Sequence, residues 1–376
     1  MTERPRVLLL IPHLGGGGAE QVAAQLARGL SREKYVLHLA LITQDSPEAN
    51  HFPQGVIVHA LNAPRVRLAA FKLLRLVHRL KPDLILSGMA HLNSLVLLLR
   101  PLFPRKTRVL VRQNGTVTAA LAIDRNRRRT RLLYRLLYHR ADRIICQTHA
   151  MAKDLESEIR ISEEQIVVLA NPVDVEDLRA RSESVPKLLT SQETESAPWY
   201  LLAVGRLAHE KGLDLLLQAF VMIRKQLPGI HIVIAGEGPE KCALTALCRE
   251  LGIEPAVQFL GHVDRPSALF PGALLYVLSS RHDAMPNALL EAAAWGLPIV
   301  SMPASEGLVD LLRDQPGVWL ATEITVHALA ASLIRALNQL RPGQRFPHAF
   351  IEAFRFQPAI HAYEQLIDAT LRELRP

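Results

Sequence analysis

The stretch Ser280-Arg281-His282-Asp283-Ala284-Met285-Pro286-Asn287-Ala288-Leu289-Leu290-Glu291-Ala292-Ala293-Ala294-Trp295-Gly296-Leu297-Pro298-Ile299-Val300 reads as a loop, a helix and the start of a strand. It follows an apolar run of strand length, Leu274 to Leu278. Pro286 suits the first helical turn, where its missing N–H would have had no partner in any case. The backbone N–H groups of Ala288 and Leu289 are then expected to stay free and to face an anion such as a phosphate. Glu291 falls about one turn further on, in reach of hydroxyls on whatever carries that phosphate, and Asp283 stands ahead of the helix. Two carboxylates around an anion-binding helix start describe a site for a sugar nucleotide, with Pro286 and Asn287 beside it.

Outward from this stretch, the chain alternates short apolar runs with longer helical patterns, the sign of parallel α/β sheets. The first series has strands at Val7 to Ile11, Val36 to Ile42, Leu84 to Leu86, Val109 to Arg112 and Ile144 to Gln147. Helices are expected over Ala19 to Leu30 and, basic and amphipathic, over Val66 to Leu80. Arg181 to Pro198, rich in Ser, Thr, Glu and Pro without sustained periodicity, reads as a linker. A second series follows, with strands at Tyr200 to Val204, Ile230 to Ala235, Val257 to Leu260, Leu274 to Leu278 and Ile299 to Met302. Helices at Leu213 to Gln226 and Glu240 to Leu251 separate the first of them. The expectation is two Rossmann-like α/β domains, residues 1–185 and 186–355, with ligand in a cleft at the carboxyl ends of their strands.

Composition narrows the class. A length of 376 residues with 49% hydrophobic residues suits two domains with sizeable cores. No apolar run reaches the roughly 18 residues of a membrane span, and Val7 to Ile11 leads into four glycines rather than a cleavage site. The expected location is therefore the cytoplasm, with peripheral attachment to the inner face of its membrane left open. Three cysteines, Cys146, Cys242 and Cys248, make neither a CxxC pair nor an even framework, which suits structural thiols in a reducing compartment. Of the 44 Lys/Arg, 29 lie in residues 1–187 against 17 acids, so the first half is basic and the second mildly acidic. Arg125, Arg127, Arg128, Arg129, Arg131, Arg135 and Arg140 crowd one segment. Arg127, Arg131 and Arg135 interleaved with leucines are compatible with an anionic membrane surface, and equally with an ordinary helix packed by leucines under solvated arginines. Aromatics are 5% and no recognition motif accompanies the charge, so nucleic acid is not an expected partner. No HExxH, Cys/His finger spacing or Asp-x-Asp pair speaks for a metal.

Glycine-bearing loops sit where ligand phosphates would lie. Gly15 to Gly18 follow the first strand, and Gly16 and Gly17 let backbone approach a phosphate; Glu20 occupies the third glycine position of a Rossmann fingerprint, which the loop therefore is not. Gly205-Arg206-Leu207 to Lys211-Gly212 closes the first strand of the second series with two cations, a fork and a point charge that can clamp a diphosphate. Glu237 and Gly238 end another strand, and His262 follows the next. In the first half, His91 and Asn93 follow one strand and Arg112 and Asn114 end another, with polar groups suited to acceptor or sugar contacts.

These motifs resemble the retaining GT-B glycosyltransferases of family 4. Asp283 to Glu291 has the spacing of their Glu-x7-Glu pair, set in a string close to Glu-Gly-Phe-Pro-Asn then Leu-Leu-Glu-Ala; here Asp replaces the first Glu and Ala284 replaces Gly. The resemblance implies that Arg206 and Lys211, with Gly16, Gly17, Ala288 and Leu289, bind the donor diphosphate, and that Gly205, Glu237, Gly238 and His262 border the nucleotide. It implies catalytic positions for Asp283, Glu291 and His91, and acceptor-side positions for Glu20, Asn93, Arg112 and Asn114; many relatives place their His three residues earlier, where this chain has Gly88. Asn171-Pro172 corresponds to an interdomain segment, and a helix near 356–376 is expected to return to the first domain. The implied activity is hexosyl or N-acetylhexosaminyl transfer from a UDP- or GDP-sugar, without metal or other cofactor, to a glycan or lipid-linked glycan in bacterial surface polysaccharide or lipopolysaccharide synthesis. Two rival readings are a GT-B nucleotide-sugar epimerase and a non-catalytic anion- or membrane-binding protein.

Overall fold

Strands buried on both faces need side chains that are apolar at every position, and the runs around Leu8, Leu39, Ile85 and Val277 meet that requirement. The computed structural model describes residues 3–13, 17–43, 54–122, 124, 126–180 and 199–373. Gly16, Arg125, the expected linker 181–198 and with it the 185/186 boundary lie outside the described residues.

Two compact units divide the chain, Met1–Pro172 with Phe356–Pro376 and Val173–Arg355. In the first, β1 (Arg6–Ile11), β2 (Val36–Leu41), β3 (Val56–Ala60), β4 (Leu84–Ser87), β5 (Arg108–Arg112), β6 (Arg143–Cys146) and β7 (Ile166–Val168) form one sheet. Its order is β3-β2-β1-β4-β5-β6-β7 and each pairing is parallel. The helices are α1 (Gly18–Gly29), α2 (Ala70–Leu80), α3 (Ala90–Leu99), α4 (Val117–Ala122), α5 (Arg127–Tyr138) and α6 (His149–Ile159). The second unit opens with α7 (Val175–Ala180). Its sheet, β10-β9-β8-β11-β12-β13, is built from β8 (Tyr200–Val204), β9 (His231–Ala235), β10 (Val257–Gly261), β11 (Ala273–Leu278), β12 (Ile299–Ser301) and β13 (Val318–Leu320), again all parallel. The remaining helices are α8 (Leu213–Arg224), α9 (Lys241–Glu250), α10 (Asn287–Trp295), α11 (Glu306–Leu312), α12 (Val326–Gln339) and α13 (Phe356–Arg372). No helix among the described residues is long and apolar enough to cross a membrane.

The helix expected over Val66 to Leu80 begins as a tight 3-10 turn, Val66–Ala69, before α2 takes over. The C-terminal α13 packs on the first unit: Ile360, Tyr363 and Ile367 join the core beside Val22, Leu26 and Leu37. Its Glu364 accepts a bond from Ser31 N–H at 2.9 Å and from Lys34 Nζ at 2.6 Å.

Strand order opens a crevice in each sheet. Both sheets reverse direction of growth once, between β1 and β4 in one and between β8 and β11 in the other. Helices leaving neighbouring strands at such a point depart to opposite faces, so the two loops part and leave a crevice at the strands' carboxyl ends. The loops after β8, β9 and β10 are tied into one layer there. Gly205 N–H bonds Ala235 O at 3.0 Å, Gly236 N–H bonds Gly261 O at 2.7 Å and Leu207 N–H bonds Glu237 O at 2.9 Å. Gly236 holds φ +146°, and a Cβ there would lie far inside van der Waals contact distance of the Gly205 carbonyl oxygen. We therefore expect Gly236→Ala to force the β8 and β9 loops apart and cost at least about 2 kcal/mol of stability. Denaturant unfolding checks this, and wild-type stability would refute the close-packed arrangement.

Candidate functional site

At the β8/β11 crevice hydrogen bonds to backbone carbonyls fasten the loop after β8 to the loop after β11, the shortest of them from Ser279 and Arg281. Ser279 Oγ donates to Lys211 O at 2.8 Å, Arg281 N–H to Glu210 O at 2.8 Å and Arg281 Nη1 to His209 O at 2.9 Å. Gly212, left-handed at φ +60°, packs its Cα against the Ser279 carbonyl so closely that no side chain fits. It also forms the N-cap of α8. Arg281 completes the junction by a two-pronged bond to Asp214 in the first turn of α8, 2.7 Å from Nη1 to Oδ1 and 2.6 Å from Nη2 to Oδ2. Burial opposes ionisation of Asp214, but the two bonds from Arg281 outweigh it and hold the carboxyl below its usual value. Neither Arg281 nor Asp214 was singled out by sequence reasoning. The signal was present: a cation directly after a strand and an acid at a helix start, both at the switch point.

This junction points Lys211 at Asp283. Lys211 Nζ and Asp283 Oδ2 form a short, partly buried ion pair. An ammonium has three donors, so two remain for another anion. Arg206 is exposed on the same loop and forms no ion pair among the described residues. The loop of Asp283 is held from the other side: its N–H bonds Ala304 O at 3.3 Å, and Ser305 Oγ bonds Ala284 O at 3.3 Å.

Helix α10 differs from expectation at its start. Pro286 is the N-cap, with φ −73° and ψ 123°, rather than a residue of the first turn. Leu289 N–H donates to Pro286 O at 3.1 Å and its side chain is fully buried, so this amide is not the free anion donor expected. Asn287 and Ala288 are the partly exposed residues of that turn. One turn on, Glu291 has no hydrogen-bond partner among the described residues, and burial pushes its carboxyl up to about 7. The phenol of Tyr276 on β11 is driven up by burial first, then by Asp283 and Glu291, which places both carboxylates in one electrostatic neighbourhood.

Around these groups the nucleotide-side candidates fall at neighbouring strand ends. Glu237 and Gly238 follow β9, with Lys241 Nζ 2.9 Å from Glu237 Oε1. His262 follows β10, exposed, its Nε2 3.2 Å from Asp264 Oδ1. Fixed cations, a helix start and two carboxylates at one end of a parallel sheet can hold a diphosphate and accept bonds from sugar hydroxyls.

The first unit gathers its own set at the β1/β4 crevice. Gly17 precedes α1, whose first turn carries the buried Glu20; His13, after β1, lies with Nδ1 3.7 Å from Glu20 Oε1. His91 sits in the first turn of α3, where burial first and His13 second lower its pKa while Glu20 raises it. Asn93 and Arg112, expected on the acceptor side, are both buried and bonded within the unit. Asn93 is fully buried with Nδ2 3.0 Å from Arg112 O, so it braces β5. Arg112, also buried, donates to Asn114 and to Asn171, and Asn114 donates to Gly88 O. Of the first-unit candidates, His91 is exposed and His13 partly exposed beside the buried Glu20.

Comparison with known proteins bears on both units. Residues 16–177 match the model described as Glycosyltransferase Family 4, and residues 186–355 match Glycosyl transferases group 1. The chain is similar to an N-acetylgalactosamine-N,N'-diacetylbacillosaminyl-diphospho-undecaprenol 4-alpha-N-acetylgalactosaminyltransferase of Campylobacter jejuni, 28% identical over 81% of this chain and 83% of that one. It is also similar to an amylovoran biosynthesis glycosyltransferase of Erwinia amylovora, 24% identical over 93% of each. Among solved structures, Anabaena HepE in complex with UDP and glucose superposes with a TM-score of 0.77 at 18% identity, covering 96% of this chain and 99% of that one. The sucrose-phosphate synthase of Thermosynechococcus elongatus gives 0.77 at 17% identity, covering 97% and 100%. Two parallel-sheet units of this topology, matched along nearly the whole chain by both models, make this protein a member of the GT-B glycosyltransferases of the family 4, group 1 type.

Proposed function

We propose that this protein is a retaining glycosyltransferase that moves a hexosyl or N-acetylhexosaminyl group from a UDP- or GDP-sugar to a lipid-linked or lipopolysaccharide-type glycan in bacterial surface polysaccharide synthesis. The observation that supports the donor half is the junction at β8 and β11, which brings Lys211 to Asp283 just ahead of the α10 start, with Arg206 exposed on the same loop as Lys211. The acceptor class is supported by the Campylobacter and Erwinia relatives, one named for its action on a diphospho-undecaprenol-linked sugar and one for amylovoran biosynthesis.

In this reading Lys211 and Arg206 hold the donor diphosphate, Glu291 accepts bonds from nucleotide hydroxyls and Asp283 contacts the sugar. The acceptor hydroxyl oxygen forms the new bond to the sugar's anomeric carbon as the bond to the diphosphate oxygen breaks. The nucleoside diphosphate leaves with that electron pair and takes the hydroxyl proton, on the same face of the sugar. Fixed cations neutralise the charge that grows on the leaving group, so the reaction runs without a divalent metal. His91 and Glu20 border the acceptor. A binding screen of UDP-, GDP- and ADP-sugars, followed by product mass and the anomeric proton coupling of the product, tests donor, transfer and retention together. Epimerised donor without an added acceptor, or an inverted linkage, would overturn the reading.

Arg206 makes no internal ion pair that its removal would break, so Arg206→Ala reports on the ligand alone. It is expected to lower kcat about 100-fold or more with an unchanged thermal midpoint. Lys211→Ala should do the same at a stability cost, because it leaves Asp283 partly buried and unpaired. Wild-type turnover in both would remove the diphosphate assignment.

Glu291 gives a pH signature. Its folded pKa of about 7 lies above the unfolded value, so its contribution to the stability of the free protein is full at low pH and is lost as pH rises through about 7. A ligand that donates hydroxyls to the carboxylate favours the ionised form, so nucleotide affinity should rise as pH increases through about 7 and then level off. Calorimetry in buffers of different ionisation enthalpy should detect proton release near pH 7, and Glu291→Gln should abolish both the slope and the release. A slope that survives in the Gln variant assigns the titration to another group.

A further inference from the structure

The sequence allowed α5 to pack its leucines inward and leave its arginines in water, but in the structure three of its four leucines face outward, alongside Arg127, Arg128 and Arg129. Leu136 is 61% exposed, Leu132 57% and Leu133 45%, while Arg131 is tied to Glu158 and Arg135 is partly buried. Only Leu137 and Tyr138 of this helix are buried. The outward face, Arg128, Leu132 and Leu136 with Arg129 and Leu133 beside them, follows the 3- to 4-residue spacing of one helical side. Helix α3 packs against both α5 and α2. Its last turn carries the exposed Leu98, with Leu102 just beyond the helix, and α2 raises Phe71, 75% exposed, next to Lys72 and Arg75.

Large apolar side chains in water need an explanation when they gather. Of the ten that stand exposed among the described residues, six lie on α2, α3 and α5 or just beyond α3: Phe71, Leu98, Leu102, Leu132, Leu133 and Leu136. The charge around them has one sign. From Gly55 to Arg140 the sequence holds 18 Lys/Arg and two acids, Asp83 and Asp124, and α2, α3 and α5 contain none of those acids. Arg75, Arg105, Lys106, Arg128 and Arg129 form no ion pair among the described residues. A second copy of the chain would bring two such fields face to face and be repelled. Apolar groups flanked by unpaired cations instead match a surface that is negative at its boundary and apolar beneath.

We propose that the outer face of α2, α3 and α5 is the docking surface of this protein for an anionic phospholipid membrane, with Leu132, Leu133, Leu136 and Phe71 entering the headgroup boundary and the neighbouring cations meeting lipid phosphates. The inference rests on unit 1 alone and stands whether or not the donor assignment holds.

The test is sedimentation of the full chain with vesicles of phosphatidylglycerol and phosphatidylcholine, against vesicles of phosphatidylcholine alone. The full chain should pellet with the anionic vesicles, less so as salt is raised, and stay in solution with the neutral ones. The triple variant Leu132→Ser, Leu133→Ser, Leu136→Ser should lose about tenfold or more of the vesicle affinity at an unchanged thermal midpoint, because the replaced side chains already face water. Should that variant melt early, Phe71→Ser on α2 offers the same readout on a separate helix. Failure of the wild-type chain to pellet with anionic vesicles overturns the proposal, as does unaltered pelleting of folded leucine and phenylalanine variants. Analytical ultracentrifugation showing a dimer that the leucine variant dissolves would assign the face to a second copy instead.

Discussion

Gly212 and the carbonyl of Ser279 lie closer than any side chain at that position would permit, and the second unit's candidate site hangs on that approach. Strands β8 and β11 are neighbours although β9 and β10 come between them in the chain. Their helices leave to opposite faces, so nothing in the topology alone would bring the two following loops together. The missing Cβ at Gly212 does. With it, Ser279 reaches Lys211 O, Arg281 reaches the carbonyls of His209 and Glu210, and the Lys211 ammonium arrives at Asp283.

The charges then sort into two kinds. Arg281 and Asp214 satisfy one another in a forked, planar pair, and that pair is a fastening between loop and helix. Lys211 and Asp283 are joined by one contact, leaving two ammonium donors and the second carboxylate oxygen uncommitted. Arg206 and Glu291 hold no internal ion-pair partner among the described residues, one exposed and one buried enough to push its carboxyl up to about 7. A fold gains nothing in stability from an unpaired, partly buried carboxylate, and in the proposed reading the partner of Glu291 arrives with the ligand.

Much of this was legible because the relevant signals are local. Apolar runs bounded by Gly, Pro and charged loops mark most of the strands, and Gly205 to Gly212 and Asp283 to Glu291 carry their chemistry within a few residues. What escaped has physical reasons. Strand β3 exposes Ile57 and Val58 at a sheet edge, and β7 and β13 are three residues long, too short for any period to register. The pairing of Arg281 with Asp214 depends on strand order, which no residue pattern states. The burial of Asn93 and Arg112 likewise comes from α3 packing on β5, whereas polar residues at a strand end read from sequence as groups for acceptor or sugar contacts. Pro286 marked the helix start one position early, and the result was a misread amide at Leu289.

Asp283 is where sequence and structure bear on each other most closely. Its carboxylate is one methylene shorter than the Glu of the resembling motif, which would set it back from a sugar by about 1.5 Å if the backbone stayed in place. The backbone is held in place: Asp283 N–H is bonded to Ala304 O, Ala284 and Met285 are buried, and Ser305 Oγ grips the Ala284 carbonyl while capping α11. The shortened side chain is met by Lys211, whose long flexible stem crosses beside Gly205 to reach it. A pair formed by a flexible cation and a short, fixed acid leaves more room at the strand ends than a longer acid reaching inward would. That room is bounded by the close contact of Gly212 with Ser279 and the forked pair of Arg281 with Asp214, so in the proposed reading a donor's fit depends on what Lys211 can reach more than on movement of the loop.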